Sequence, residues 1–524
     1  MHRTNLVLAS ALTAAVAAIL PATATPAARA AAGCSGALPV VAHHAGGRVL
    51  HPQPSTDIVA CGTTTGLPGA ESHIVVRRDG TVIYTPAVMP QGFLGTGTAP
   101  IDENNNTQSN ASPAGLAVTS DDGAHWHVVK PSGVTWNPTD HSEYVDPRTG
   151  RTFYEDYGPI PEAPSLGPQQ EGPAHINWTD DLRHWHHTVI SGLTLPENPR
   201  FTSAVAPRGG AQPRGYPDVL YFCANTNVGF VAPVIAGRLC FRSLDGGNSW
   251  QQGALLFTGA APQHPECGAS GENYSAIDGY YPQPTRDGRL YVMVACGGKT
   301  YLARSDDEAA SFPIMHAQGH PVTLPVPASG ISIGGTPELR ITSAGIFVLV
   351  YQQGSHLLMR LSHTRGVTWS KTYDLTAPGV VGIHQWALAQ SGRNDLAIAY
   401  LGQRRGQSTW DGYVTATHDL SAALRPGPGP LLWSGRVNPS SRPLLYGSSV
   451  QGSGYLAGPG GTSLPFPPPF NNQSTGNDFI GAAIGPDGTP WGSFTQDCGP
   501  APSAAGCQRQ HDQTRGYVGH LRFG

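Results

Sequence analysis

Charge is scarce in this chain. Only 13% of its residues are Asp, Glu, Lys or Arg, and the net charge is −4 with no long run of either sign. Such a chain has no electrostatic footprint for nucleic acid or an anionic membrane surface. Long stretches with apolar residues at i, i+3, i+4 and i+7 are also missing, which argues against a helical architecture. No C-x-x-C pair occurs, so a cysteine-held zinc is not expected. Beyond residue 30, no apolar run is long enough to cross a bilayer.

What the chain has in plenty is Gly (66) and Pro (48) among 524 residues, with 39% hydrophobic residues. That mixture reads as many short strands joined by many turns around a sizeable core. Residues 1–30 read as an export leader. His2 and Arg3 open it, an apolar run follows from Leu6 to Leu20, and Ala28-Arg29-Ala30 forms a cleavage signature. Eight cysteines follow, an even number that favours disulfides in an exported chain. Pairing sequence neighbours gives Cys34–Cys61, Cys223–Cys240, Cys267–Cys296 and Cys498–Cys507. The chain is therefore expected outside the cell, as a monomer. A lipid anchor on Cys34 is the rival reading, because AAGC (residues 31–34) resembles a weak lipoprotein signal.

One motif organises the rest. TSDDGAHW (residues 119–126) and SLDGGNSW (residues 243–250) both fit [ST]-x-D-x-G-x-x-W. Looser copies are WTDDLRHW (178–185), SDDEAASF (305–312), SHTRGVTW (362–369) and THDLSAAL (417–424). Start to start, the steps are 59, 65, 62, 57 and 55 residues, which indicates a repeat architecture. The motif's carboxylate suits a structural role, accepting backbone N–H groups across a tight turn. Asp121, Asp180, Asp245 and Asp307 are assigned that task, with Trp126, Trp185, Trp250 and Trp369 as rings buried beside the turns.

The motif is similar to the Asp box of the BNR-repeat proteins, a family that includes sialidases. The resemblance covers about residues 70–524. It implies an all-β fold, a β-propeller of four-stranded blades. A second marker, a turn followed by an apolar strand, precedes each box and recurs once more as GPDGTPWGSF (485–494). Seven such turns against six boxes favour seven blades, with six blades as in sialidases the alternative. The last blade has three strands before the chain stops, so a strand near residues 47–62 is expected to complete it and close the ring. Residues 31–70 are then an N-terminal segment with the closing strand. Residues 71–524 are the propeller, and 425–476 form a long Pro/Gly/Ser-rich insertion.

The resemblance also implies that ligands meet the face where the innermost strands begin. Those starts carry Glu71, His73, His141, Glu143, Tyr144, Arg200, Tyr280, Tyr281, Glu338, His384 and Asp478, and Glu272 belongs to a segment near the same mouth. Convergence of carboxylates, imidazoles, phenols and a guanidinium defines a candidate site. His141, Glu143, Tyr144, Tyr281 and His384 are the catalytic candidates. Glu71, His73, Arg200, Glu272, Tyr280, Glu338 and Asp478 are the substrate-binding candidates. Sialidases are expected to carry an F/Y-R-I-P motif in the first blade, and this chain reads ESHIVV there (71–76).

Three functions remain open. A carbohydrate-active hydrolase acting on extracellular glycans would use paired carboxylates, or a Tyr nucleophile as sialidases do. A polysaccharide lyase would pair a His and a Tyr beside a uronate, with Arg200 neutralising the carboxylate. A non-catalytic propeller would only bind glycan or protein. No cofactor is expected, and a structural cation such as calcium is left open.

Overall fold

Period-two patterning and frequent turns give antiparallel sheets. The structure, a computed structural model, describes residues 36–45, 58–67, 72–86, 115–129, 141–159, 171–194, 196–205, 210, 212–228, 234–258, 264–270, 281–326, 337–446, 456–457, 463–464, 480–497 and 514–523. Among these, helix is confined to two 3-10 segments, Pro265–Ser270 and Leu420–Leu424. No described helix is long and apolar enough to cross a membrane.

The first sheet contains His73–Val76, Val82–Thr85, Leu116–Thr119 and His127–Val129. Ser142–Val145, Thr152–Pro159, Glu171–Thr179 and His186–Thr194 form the second. The third is Pro196–Ala204, Val219–Val228, Val234–Ser243 and Gln251–Thr258. A fourth has Gln283–Pro284, Leu290–Cys296 and Lys299–Ser305, extended by single bridges from Tyr301 to Thr323 and from Ala303 to Ile314. Glu338–Ile341, Phe347–Gln353, His356–Ser362 and Tyr373–Asp374 make the fifth.

The remaining strands form one composite sheet. Val380–Ser391, Asp395–Arg404, Thr409–Thr417 and Leu431–Arg436 run in sequence, and Leu38–His44 pairs with the last of them. Ile58–Thr64 then pairs with Thr514–Phe523 along its whole length, from Ile58 opposite Phe523 to Thr64 opposite Tyr517. Pro490–Asp497 and Gly481–Ile484 follow. Two N-terminal strands thus lie between segments from the C-terminal third of the chain, where the sequence suggested one.

The first strands of successive sheets touch in order. His73–Val76 meets Ser142–Val145, and contacts continue through Pro196–Ala204, Gln283–Pro284, Glu338–Ile341, Val380–Ser391 and Gly481–Ile484 back to His73–Val76. The result is an all-β, propeller-like arrangement. Apolar side chains fill the gaps between neighbouring sheets. Phe153, Phe201, Phe222 and Phe241 share one such cluster, and Tyr291, Leu302, Leu339 and Phe347 share another. Each fully buried side chain of this kind contributes about 1.5–3 kcal/mol.

The repeated turns are built from side-chain to backbone hydrogen bonds. In the best copy Ser243 Oγ donates to Asp245 Oδ1 at 2.9 Å, while the Ser249 and Gly247 N–H groups donate to Asp245 Oδ1 and Ser243 Oγ at 2.8 Å each. Asp121 binds the His125 N–H at 3.0 Å, and Asp307 binds that of Ser311 at 2.9 Å. Thr364 stands in for the acid in the fifth copy, its hydroxyl accepting the Thr368 N–H at 2.8 Å. The second copy corrects the sequence reading. Asp181, not Asp180, accepts the Arg183 and His184 N–H groups at 2.8 Å. Asp180 instead forms a two-pronged pair with Arg151, whose guanidinium lies 3.6 Å above the Trp178 ring. The four box tryptophans are half-buried rather than fully enclosed. Trp250 packs edge-on to Phe222 at 6.1 Å, and Trp369 donates its indole N–H to the Gly366 carbonyl at 3.0 Å.

Cys223 is bonded to Cys240, its cross-strand partner in register, and Cys267 to Cys296. Cys61 is disulfide-bonded as well. Cys34, Cys498 and Cys507 lie outside the described residues.

Two buried histidines make the composite sheet sensitive to acid. Burial holds His43 and His520 down to about 4. His43 Nε2 lies 2.9 Å from Ser434 Oγ, and His520 stacks on Trp491 at 4.1 Å. In the unfolded chain both imidazoles take up protons near pH 6.5, while the folded chain resists protonation until lower pH. Their stabilisation is therefore present above about pH 6.5 and is lost as the pH falls towards 4. Thermal melting is expected to drop between about pH 7 and pH 5, and to drop less in His43→Asn. A melting temperature that holds or rises over that interval contradicts this account.

Candidate active site

All seven innermost strands or their flanking residues send side chains or backbone to one central cavity of about 160 Å³. His73, Glu143, Arg200, Tyr281, Glu338 and Arg340 supply its polar lining, with Trp386 and Leu388 among the apolar walls. Gly481 completes it. A Cβ there would come within 2.8 Å of the Ile74 nitrogen and 3.1 Å of His73 Cα, so Gly lets the last sheet close against the first.

Glu143 sits between two imidazoles. Its Oε1 is 3.1 Å from His141 Nε2, and its Oε2 is 3.7 Å from His73 Nδ1. The His73 and His141 rings meet edge to face at 4.9 Å. His141 is fully buried and does not line the cavity, so it reaches the site only through these two neighbours. Burial, reinforced by the charges of His141 and Arg200, holds His73 well below its usual value. A neutral imidazole thus faces the cavity at neutral pH.

Across the cavity, Arg340 Nη2 lies 2.5 Å from Glu338 Oε2 and donates to the Leu388 carbonyl at 2.9 Å. Its guanidinium stands 4.9 Å from the centre of the Tyr281 ring. Burial pushes the Tyr281 phenol up, with Glu338 adding to the shift and Arg340 and Arg200 opposing it. The phenol therefore carries its proton at neutral pH and is available as a donor.

Several of the expected residues are placed elsewhere. Tyr144 points away from the cavity, its ring 6.3 Å from both Phe153 and Phe201 and its hydroxyl 2.7 Å from Ser203 Oγ. It belongs to the packing between the second and third sheets. His384 does not line the cavity either. It packs 5.8 Å from Trp410, and burial pulls it down to about 4. Glu71, Glu272, Tyr280 and Asp478 lie outside the described residues. Arg200 was the sole Arg expected at the mouth, and the structure adds Arg340. The signal was present in the sequence, because Arg340 is two residues beyond Glu338 and alternation puts both on one face. Among the described residues, no group of three or more His, Cys, Asp or Glu is placed to hold a metal ion.

No family model matches this chain, and no characterised protein matches it in sequence. Solved structures that it resembles include a protein of unknown function from Dyadobacter fermentans DSM 18053. There the identity is 10%, 90% of this chain and 98% of that chain are covered, and the TM-score is 0.38. A variant of NanB sialidase from Streptococcus pneumoniae matches at 10% identity over 72% of this chain and 67% of that one, with a TM-score of 0.36. An ulvan lyase described as a new family of polysaccharide lyase matches at 9% identity over 68% and 83%, with a TM-score of 0.37. At these scores none of their activities transfers to the chain.

Proposed function

We propose that the chain is an exported seven-bladed propeller whose central cavity cleaves a polysaccharide next to an acidic sugar. In this reading the composite sheet is the sixth and seventh blades, and Ile58–Thr64 completes the seventh. The cyclic contact of seven innermost strands supports that count. The leader-like residues 1–30 and the disulfides support export.

The observation that carries the reading is the meeting of Arg200, Arg340, Tyr281 and His73 in one small cavity. Two guanidinium groups suit a sugar carboxylate and favour the charge that builds up when the adjacent C–H is deprotonated. His73, held neutral, takes that proton. Tyr281, held protonated, gives its own to the departing glycosidic oxygen. The C–O bond breaks as a C=C bond forms beside the carboxylate, so no water is consumed. A second reading, hydrolysis, draws on the nearness of Tyr281, Glu338 and Arg340. Glu143 would then act as the acid and Tyr281 as the nucleophile. The raised phenol favours the first reading, because an acid must hold its proton until it is given up, whereas a phenol nucleophile would need Glu338 to remove that proton first.

A panel of uronate-containing and neutral polysaccharides, incubated with the mature protein, separates these outcomes. Ultraviolet absorbance from an unsaturated product supports elimination. New reducing ends without absorbance support hydrolysis and overturn it. The acid limb adds a check. Because His73 works as a base and titrates well below 6.5, kcat/KM is expected to stay level through pH 6.5 and fall only further into acid. A limb centred at or above 6.5 contradicts the assignment.

A further inference from the structure

A second cavity opens at the other ends of the same strands. It measures about 820 Å³, far larger than the first. Arg200, Tyr281 and Glu338 face the central cavity, whereas Ser203, Pro284 and Ile341 on those same chain segments line the second. The two cavities therefore occupy opposite faces of the arrangement.

The rim of the second cavity carries Arg286, Arg365 and Arg393 against a single carboxylate, Asp287. All three guanidinium-bearing residues are exposed. Asp287 is already engaged by Arg289, and Arg365 Nη2 stands 3.9 Å from it. Arg286 and Arg393 have no hydrogen-bond or ion-pair partner among the described residues. In a chain whose net charge is −4, this is a local excess of positive charge.

The arginines sit on turns that are held in place. Thr285 Oγ1 donates to Asp287 Oδ1 at 2.6 Å and to the Arg289 carbonyl at 3.0 Å. The Gly345 N–H closes the turn at Thr342 at 2.8 Å, and the Ser343 N–H donates to the Gly392 carbonyl at 2.9 Å, tying that turn to the one bearing Arg393. The backbone that bears Arg286 and Arg393 is thus held beside a floor that mixes Ser203 and Thr342 hydroxyls with Pro284 and Phe347. Sugar rings offer matching apolar faces and hydroxyls, and their carboxylates or sulfates match the guanidinium rim.

We propose that this second cavity binds a strand of anionic polysaccharide, independently of the chemistry in the central cavity. Guanidinium groups spread around the rim suit charges repeated along a polymer better than one small anion. The site anchors the protein to an acidic glycan and leaves the central cavity free.

The test uses the full mature chain and two probes, polygalacturonate and dextran sulfate, at low and moderate salt. The variant Arg286→Gln/Arg365→Gln/Arg393→Gln is expected to bind both at least about tenfold more weakly, with a flatter salt dependence. Asp287→Asn is expected to bind more tightly, a shift that damage to the fold would not produce. The same triple variant should cleave a uronate polymer with the parent's kcat, since none of its three arginines lines the central cavity, which keeps this site distinct from the central one. Unchanged affinity in the triple variant overturns the proposal, as does equal competition by poly-glutamate, which would assign the surface to acidic protein.

Discussion

Tyr281→Phe is expected to lower turnover on a uronate polymer by about 100-fold or more while leaving the melting temperature near that of the parent. The substitution keeps the ring beside which Arg340 stands at 4.9 Å and removes only the hydroxyl. Packing and the Arg340–Glu338 pair therefore persist, whereas the proton for the departing oxygen is gone. KM is expected to change little, because the carboxylate is held by Arg200 and Arg340. Steady-state kinetics with thermal melting separates the two effects. Retained turnover removes Tyr281 from the chemistry. A large loss of stability instead assigns it to the core.

The second large effect is structural. Gly519→Ala is expected to destabilise the fold by about 3 kcal/mol, at the upper end of what overpacking costs. A Cβ at Gly519 would overlap Val437 Cβ and lie 2.5 and 2.6 Å from its two methyl carbons. Gly519 is opposite Gly62 on one side and Gly492 on the other. Three glycines thus form a row across Ile58–Thr64, Thr514–Phe523 and Pro490–Asp497; Val437 packs against Gly519 and Gly62, and Ala399 and Phe494 pack against Gly492. Close-packed interiors do not absorb an added methyl at such distances. Urea unfolding should show a lower midpoint with an unchanged slope. A neutral result would mean that Ile58–Thr64 and Thr514–Phe523 do not pack against Val437 as described.

Much of this was legible from residue patterns, and the exceptions have physical causes. The boxes around Asp121, Asp245 and Asp307 were readable because Ser or Thr two residues before the Asp, and a backbone N–H four after it, must be spaced in that way to close the turn. The second copy runs only seven residues from Thr179 to Trp185, against eight from Thr119 to Trp126, so counting back from the Trp lands on Asp180 instead of Asp181. His73, Glu143, Tyr281 and Glu338 share the central cavity because each sits at or near the start of an innermost strand, and Arg200 joins them from the middle of Pro196–Ala204, after a register shift between Glu197 and Arg200. Tyr144 fails for the reason that Glu143 succeeds, since neighbours on a strand face opposite ways. His384 is displaced by a register shift between Ile383 and Trp386, after which Trp386 lines the cavity. Alternation alone cannot foresee a bulge. The second cavity was hidden because Arg286, Arg365 and Arg393 are far apart in sequence and meet only when the turns of three sheets come together.

The central claim is that the inner cavity recognises and cleaves beside a sugar carboxylate. The most direct measurement compares the mature protein on a uronate polymer and on the same polymer with its carboxyl groups reduced to alcohols, following ultraviolet absorbance and reducing ends together. The account predicts an absorbing, unsaturated product from the acidic polymer, in step with new chain ends, and no cleavage of the reduced one. Equal cleavage of both polymers, or chain ends that accumulate without absorbance, would contradict it.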